Sequence, residues 1–183
     1  VLCAKHLLNN EPFAVVLPDV LVLDRESRDK NCSFATMTDA WNETGIGQVM
    51  LERVDSEAIE NYGVADLNGE ASKPFKSIPL KGLVEKPSPE EAPSNLAVLG
   101  RYILPSKVLG LLETTVASVG GEIQLTDALD ELLKREGLNA FETDASIFDC
   151  GNKQDFLSAN LAVGMRDPDT RQLIKALIEK SGW

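Results

Sequence analysis

The chain has 183 residues, of which 43% are hydrophobic and 26% are charged, an ordinary composition for a single globular domain. Its formal net charge of −11 repels polyphosphates, which argues against a nucleic-acid partner and means that a bound nucleotide needs local cations. No long apolar run or signal-peptide pattern is present, so the sequence predicts a cytoplasmic protein with no membrane partner.

Hydrophobic periodicity and turn residues divide the chain into alternating helices and strands. In chain order, the predicted elements are a helix over 1–8, a strand over 13–17, a helix over 33–43, strands over 48–54, 62–67, 78–85 and 96–104, helices over 107–116 and 125–136, a strand over 141–148, a helix over 154–164 and a terminal helix after Pro168. The first of these has no N-cap residue before it, so the chain is interpreted as starting inside a helix.

Several residues predict where these elements end. Ser33 is expected to cap its helix and Gly45 to close it, while Thr126 or Asp127 is expected to cap the helix at 125. The dipeptide Asn68-Gly69 predicts a hairpin reversal. The strand over 13–17 is an unbroken apolar run before Pro18, which is typical of a fully buried strand.

The alternation of strands and helices predicts an α/β fold with a mixed, mainly parallel sheet flanked by helices. In such folds, ligands bind beyond the carboxyl ends of the strands. Asp19 and Asp149 each follow a predicted strand. Because Mg²⁺ takes one or two carboxylates and leaves its other positions to phosphates and water, both residues are candidate metal ligands. The alternative for each is a turn or a helix cap.

Glu85 and Lys86 are the clearest candidate binding pair, for a ligand that carries both hydroxyls and a phosphate. A carboxylate accepts hydrogen bonds from hydroxyls, and an ammonium attracts a phosphate. Neighbours on a strand point to opposite faces, so the pair can act together only at the strand's end, where Pro87 breaks the pleat. A solvated surface pair is the alternative.

Two further residues are candidates for contacting a ligand, and Asn95 ranks below Gly63. Gly63 would let the backbone approach a flat ring closely, with a strand bulge as the alternative. Asn95 follows Pro93 and could be an ordinary turn residue.

Six short motifs occur in a fixed order along the chain: Val16–Val20, Asn61–Asp66, Val84–Pro87, Ser94–Tyr102, Gly121–Ala128 and Phe148–Lys153. Together they resemble the bacterial UTP–glucose-1-phosphate uridylyltransferases, within the sugar nucleotidyltransferase family, from residue 1 to about residue 165. The glycine-rich G-x-G-T-R loop that opens this family is absent. The chain is therefore interpreted as a carboxy-terminal part of a Rossmann-like nucleotidyltransferase core.

The resemblance implies a reaction and a set of site residues. The reaction is the transfer of a uridylyl group from UTP to glucose 1-phosphate, with Mg²⁺, in an intact enzyme expected to be a homo-oligomer. The implied roles are metal binding by Asp19 and Asp149, phosphate binding by Lys86, and hexose binding by Gly63, Glu85, Asn95 and Glu122, with Lys86 and Asp19 as the catalytic residues.

The resemblance also divides the chain. Residues 1–165 would form the sugar-phosphate and metal-binding part, and residues 166–183 a terminal helix that packs on the core or joins subunits, with packing favoured. Two alternative functions stay open: a thymidylyl- or adenylyltransferase acting on the same sugar phosphate, and a non-catalytic module that binds a sugar phosphate or UDP-sugar. The isolated chain could also lack turnover because the opening loop is absent.

Overall fold

The computed structural model describes residues 1–25, 32–67, 69–115 and 124–181. The chain divides into two compact units. The first consists of Val1–Leu17 and Asp24–Ala145, and the second of Pro18–Leu23 and Ser146–Trp183. Among the described helices, none combines the length and apolar character that a membrane span requires.

Nine strands and five α-helices are described, together with two short 3-10 helices at Leu2–Leu7 and Ser56–Asn61. The strands are β1 (Phe13–Val16), β2 (Val20–Leu23), β3 (Gly47–Arg53), β4 (Gly63–Asp66), β5 (Ser77–Pro79), β6 (Gly82–Glu85), β7 (Leu96–Leu104), β8 (Leu138–Glu142) and β9 (Ser146–Asp149). The helices are α1 (Ser33–Thr44), α2 (Lys107–Thr114), α3 (Leu125–Glu136), α4 (Lys153–Gly164) and α5 (Pro168–Ser181).

The first unit is built on a seven-stranded sheet in the order β5-β8-β3-β7-β4-β6, with β1 also paired to β7. The predicted α/β class with a mixed sheet is confirmed, but the prediction that the sheet is mainly parallel is wrong for the described strands. Only β3 and β8 run parallel, and the other pairs are antiparallel. The sequence pattern misled because β4, β6 and β7 follow one another without the helical crossover that a parallel neighbour needs.

The core of the first unit lies where α2 and α3 pack with the sheet strands. Every third or fourth residue of α3 is apolar, and Ala128, Leu129 and Leu132 are accordingly buried. Strand β1 is only half-buried, with Val15 packed against the core and Val16 exposed, so the expectation of a fully buried strand is wrong. Alternating side chains on a strand with one open face explain this pattern.

The second unit contains the antiparallel pair β2 and β9 together with α4 and α5. No described side chain of α5 is buried. Leu173, Leu177 and Ile178 are each more than half exposed. The role of this helix in packing or in joining subunits stays a prediction.

Two strands predicted as continuous are each split in two. The predicted strand over 78–85 separates into β5 and β6, which pair with β8 and β4 respectively. The predicted strand over 141–148 separates into β8 and β9, which belong to different sheets. Periodicity alone cannot locate such breaks, because the residues on both sides keep the composition of strands.

The predicted helix ends are partly right. Gly45 closes α1 in the left-handed conformation with a φ of 66°, as expected. The residue that caps α1 is Cys32 rather than Ser33, and its Sγ accepts a hydrogen bond from the Ala35 amide. Ser33 is instead buried and bonds Thr143. The hairpin predicted at Asn68-Gly69 involves Asn68, which lies outside the described residues.

Gly100 lies inside β7 and needs the conformational freedom of glycine. Its φ is +64°, and a Cβ added there would lie 2.4 Å from Leu17 Cδ1 and 2.7 Å from Leu17 Cγ. The Leu17 amide donates a hydrogen bond to the Gly100 carbonyl at 3.0 Å. Leu17, the residue after β1, therefore packs directly against Gly100.

We expect Gly100→Ala to lower the free energy of unfolding by about 2–4 kcal/mol, because it combines left-handed strain with a clash against Leu17. In a Leu17→Ala background the same change should cost about half as much, because the clashing Cγ and Cδ atoms are gone. Gly110→Ala, a change inside α2 with open space around the new Cβ, should stabilise the protein by about 0.5–1 kcal/mol. Urea denaturation measures all three, and an equal cost of Gly100→Ala in both backgrounds would contradict the role of Leu17.

Tyr102 on β7 is buried, and this burial raises the pKa of its phenol from 10.0 to about 12, with the Glu85 carboxylate acting in the same direction. The folded state thus favours the neutral phenol, so the stabilisation is complete below pH 10.0 and is lost as the pH rises through about 12. Between these pH values we expect the wild type to lose about 2 kcal/mol more stability than Tyr102→Phe. Denaturation at a series of pH values tests this, and parallel profiles for the two proteins would contradict it.

Candidate active site

A cleft of about 260 Å³ in the first unit gathers several of the motif residues. It is lined by residues from β4, β6, β7 and the start of α3, with Leu17 after β1. Gly63 and Glu85, two of the predicted hexose ligands, are among them. Most of the lining residues come from five of the six motifs, which are separated along the chain, and the fold of the first unit brings them together.

The pairing of β4 with β6 places Gly63 directly opposite Glu85. A Cβ on Gly63 would lie 3.2 Å from Glu85 Oε2 and 3.7 Å from Val98 Cγ2. A side chain at position 63 would therefore crowd both the carboxylate and the cleft. The glycine leaves its backbone open to the cleft, as close contact with a sugar ring requires.

Glu85 accepts a hydrogen bond from the Thr126 hydroxyl, with 3.1 Å between Thr126 Oγ1 and Glu85 Oε2. The prediction that Thr126 or Asp127 caps α3 is wrong, because the helix begins at Leu125 and Gln124 holds the N-cap position without a side-chain bond. The side chain of Thr126 thus bonds another residue of the cleft instead of capping the helix. Sequence reasoning chose the cap because a threonine near a helix start is more often a cap than a ligand.

Lys86 lies immediately after β6, where the chain leaves the strand. Its φ is +46°, an uncommon value for a residue other than glycine, and its amide donates a hydrogen bond to the Tyr62 carbonyl at 3.0 Å. This left-handed turn breaks the pleat between Glu85 and Lys86, at the strand end where the pair was expected. The Lys86 side chain is exposed and is not part of the cleft lining.

Tyr102 adds a buried phenol to the cleft, and this phenol is neutral at physiological pH and can donate a hydrogen bond. The apolar part of the lining includes Leu17 and Val98. Sequence reasoning missed these two because nothing distinguishes a cleft-lining apolar residue from a core one. The one sequence signal for Leu17, Val98 and Tyr102 is their place within the motifs Val16–Val20 and Ser94–Tyr102.

Two predicted hexose ligands are not brought into this cleft by the described structure. The Asn95 side-chain oxygen accepts a hydrogen bond from Arg53 Nη1 at 2.7 Å, and Arg53 also forms an ion pair with the buried Glu142 at 3.3 Å. Asn95 therefore belongs to a polar cluster beside β3 and is absent from the cleft lining. Glu122 lies outside the described residues.

The two predicted metal ligands lie together in the second unit. Val20 pairs with Asp149 in the β2–β9 ladder, and the Cys150 amide donates a hydrogen bond to the Asp19 carbonyl at 2.7 Å. A Cβ added to Gly151 would lie 2.9 Å from Asp149 Oδ1 and 3.7 Å from Asp19 Oδ2. Both carboxylates thus border the same position, which only a glycine leaves open.

This donor set suits Mg²⁺, which needs one or two carboxylates and takes phosphate and water oxygens for the rest of its octahedron. In the described part of the chain, no group of three or more His, Cys, Asp or Glu side chains is placed to hold a metal ion. Next to the pair, Asn152 caps α4 by accepting a hydrogen bond from the Asp155 amide at 2.9 Å. Lys153, a weaker phosphate candidate, begins this helix and is exposed.

A larger cleft of about 530 Å³ lies beside α2 and α3 in the first unit but contains none of the predicted site residues. Its three cations are already ion-paired. Lys5 pairs with Glu113 at 2.5 Å, Arg135 with Glu131 at 3.2 Å, and Lys107 with Glu136. The smaller cleft is therefore the better candidate for substrate.

Known proteins similar to this chain belong to the enzyme family that the six sequence motifs resemble. The UTP–glucose-1-phosphate uridylyltransferase of Haemophilus influenzae is 42% identical over 98% of this chain and 61% of its own length, and that of Escherichia coli K12 is 40% identical over 98% and 59%. The chain thus spans about three fifths of the length of these relatives.

Solved structures agree in fold. A UTP-bound UGPase from Acinetobacter baumannii is 38% identical with a TM-score of 0.86, covering 97% of this chain and 59% of that one. A UDP-glucose pyrophosphorylase complexed with UDP-glucose is 36% identical with a TM-score of 0.80, covering 91% and 61%. The resemblance inferred from the six motifs is confirmed. Since the family model for nucleotidyl transferases also matches residues 1–165, the chain belongs to the nucleotidyl transferase family.

Proposed function

We propose that the protein transfers a uridylyl group from UTP to glucose 1-phosphate, giving UDP-glucose and pyrophosphate, and that this chain supplies the sites for the hexose and the metal. The observation that carries the proposal is the cleft in which Gly63, Glu85 and Tyr102 converge. The names of the relatives and the UTP and UDP-glucose bound in the similar structures support it. Because the chain spans about three fifths of those relatives, the activity is proposed for the whole protein.

The proposed reaction is an in-line displacement at phosphorus. A phosphate oxygen of glucose 1-phosphate attacks the α-phosphorus of UTP, the bond from that phosphorus to the β-phosphate oxygen breaks, and pyrophosphate leaves with the bonding electrons. The nucleophile is already an anion, so no general base is needed. This agrees with a chain whose single histidine, His6, is exposed on a 3-10 helix and lines neither cleft. Catalysis then depends on positioning and on neutralising phosphate charge.

In this proposal Glu85 accepts hydrogen bonds from hexose hydroxyls, while Gly63 lets the ring approach the backbone of β4. Tyr102 donates its phenol hydrogen within the same cleft. Lys86 supplies the positive charge for the sugar phosphate, which a chain with a net charge of −11 must provide locally. Asn95 and Glu122 stay weaker hexose candidates, the first because its side-chain oxygen is engaged by Arg53.

Asp19 and Asp149 would hold Mg²⁺ through carboxylate oxygens beside Gly151. When bound, the ion would neutralise phosphate charge and help orient the transferred group. The hydrogen bond from the Gly151 amide to Asp149 Oδ1, at 3.0 Å, orients that carboxylate. The cytoplasmic location and the homo-oligomeric state of the intact enzyme stay predictions of the sequence.

The first test is pyrophosphate release with glucose 1-phosphate, Mg²⁺ and either UTP or dTTP. We expect turnover with UTP and little with dTTP. Faster turnover with dTTP would replace the uridylyl proposal with the thymidylyl alternative, and ATP in a third reaction addresses the adenylyl one. Binding of UDP-glucose without turnover in the whole protein would instead favour the non-catalytic binding module.

We expect Glu85→Gln to raise the KM for glucose 1-phosphate by about tenfold to a hundredfold, because a charged acceptor for hexose hydroxyls becomes a neutral amide. Glu90→Gln, an exposed change in the loop after β6, should leave the KM unchanged. Steady-state kinetics with both variants measures this difference. Equal KM values for Glu85→Gln and the wild type would remove Glu85 from the hexose site.

Asp19→Asn and Asp149→Asn should each weaken divalent-metal binding by about tenfold or more, because a carboxylate ligand becomes a neutral amide. Titration with Mn²⁺, followed by electron paramagnetic resonance, measures this without relying on turnover. Asp169→Asn, an exposed change in the first turn of α5, is the matched control and should bind Mn²⁺ as the wild type does. Unchanged Mn²⁺ affinity in both site variants would rule out this pair as the metal ligands.

A further inference from the structure

We propose that Thr126 is a positioning residue, whose hydroxyl holds one oxygen of the Glu85 carboxylate so that the other is presented to a hexose hydroxyl. This inference rests on the proposed hexose-binding role of Glu85. It gives a function to a threonine that the sequence pattern had explained as a helix cap.

The two oxygens of Glu85 have different surroundings. Oε2 accepts the Thr126 hydrogen bond at 3.1 Å and faces Gly63, where an added Cβ would lie 3.2 Å away. Within the described residues, Oε1 makes no hydrogen bond or ion pair. The carboxylate is thus held on one side and open on the other, so Oε1 can accept a hydrogen bond from a ligand in the cleft.

The Thr126 hydroxyl is fixed by the helix that carries it. Thr126 is the second residue of α3, and the buried residues Ala128, Leu129 and Leu132 anchor this helix to the core. A hydroxyl on an anchored helix can hold a flexible glutamate in one orientation, which lowers the entropy lost when a sugar binds.

Electrostatics favours the same arrangement. The amino-terminal end of α3 carries the positive end of the helix dipole, and Gln124 leaves this end without a side-chain cap. The Glu85 carboxylate, bonded to the first turn of the helix, thus lies at this positive end. The effect of Glu85 on the Tyr102 phenol indicates that this negative charge acts inside the cleft.

The test compares Thr126→Val, which removes the hydroxyl at nearly constant shape, with Thr126→Ser, which keeps it. We expect Thr126→Val to raise the KM for glucose 1-phosphate about tenfold and to leave kcat nearly unchanged. The reason is that Glu85 binds the hexose equally strongly in the ground state and in the transition state. Thr126→Ser should restore most of the affinity. Thr114→Val is the matched control, because among the described residues the Thr114 hydroxyl bonds only carbonyls of its own helix, α2.

A double-mutant cycle separates positioning from a general structural effect. If Thr126 acts through Glu85, Thr126→Val should add little to the KM in a Glu85→Gln background, where the carboxylate is already gone. A merely structural role would give the same increase in both backgrounds. That additive result would overturn the inference.

A series of deoxyglucose 1-phosphates gives a second readout. The wild type should discriminate most strongly against the sugar that lacks the hydroxyl bound by Glu85 Oε1, and Thr126→Val should reduce discrimination at that hydroxyl alone. Unchanged discrimination in Thr126→Val would count against positioning.

The outcomes also separate this inference from the proposed function. A wild-type protein that neither binds nor turns over glucose 1-phosphate would defeat the proposed function. A wild-type protein that does so with the KM of Glu85→Gln raised and the KM of Thr126→Val unchanged would overturn only the role of Thr126.

Discussion

Strand β7 has one backbone irregularity, the left-handed Gly100, at the point where its pairing with β3 shifts register and its other neighbour changes. Over its nine residues β7 pairs with β3, β1 and β4, and Gly100 lies between the contacts with the last two. The left-handed φ of this glycine and its missing Cβ let Leu17 pack against the strand. A substitution there would strain the backbone of β7 and displace Leu17 at the same time, since both depend on this glycine.

The candidate hexose cleft follows from this strand order. Antiparallel pairing of β4 with β6 sets Gly63 opposite Glu85, and β7 contributes Val98 and Tyr102 to the same cleft. The amino-terminal end of α3 then supplies the donor that holds the Glu85 carboxylate. Each contact comes from a different part of the chain, so the cleft depends on the sheet more than on any one segment.

The carboxylates proposed to act have two different kinds of surroundings. Glu85 accepts a hydrogen bond from the Thr126 hydroxyl at the amino-terminal end of α3, whereas Asp19 and Asp149 border the same position beside Gly151 in a short antiparallel pair. Metal binding by Asp19 and Asp149 stays a proposal, with a turn as the alternative.

The sequence by itself determined the α/β class, the limits of β7, the closure of α1 at Gly45 and the family, because these depend on local composition, turn residues and ordered motifs. It also singled out Gly63 and Glu85. Only the tertiary structure decided that most of the described strand pairs are antiparallel and that two predicted strands are split, because pairing depends on contacts between residues distant along the chain. For the same reason it alone showed Thr126 bonded to Glu85 and Asn95 bonded to Arg53, since a side chain's partner is set by packing and not by its neighbours in sequence.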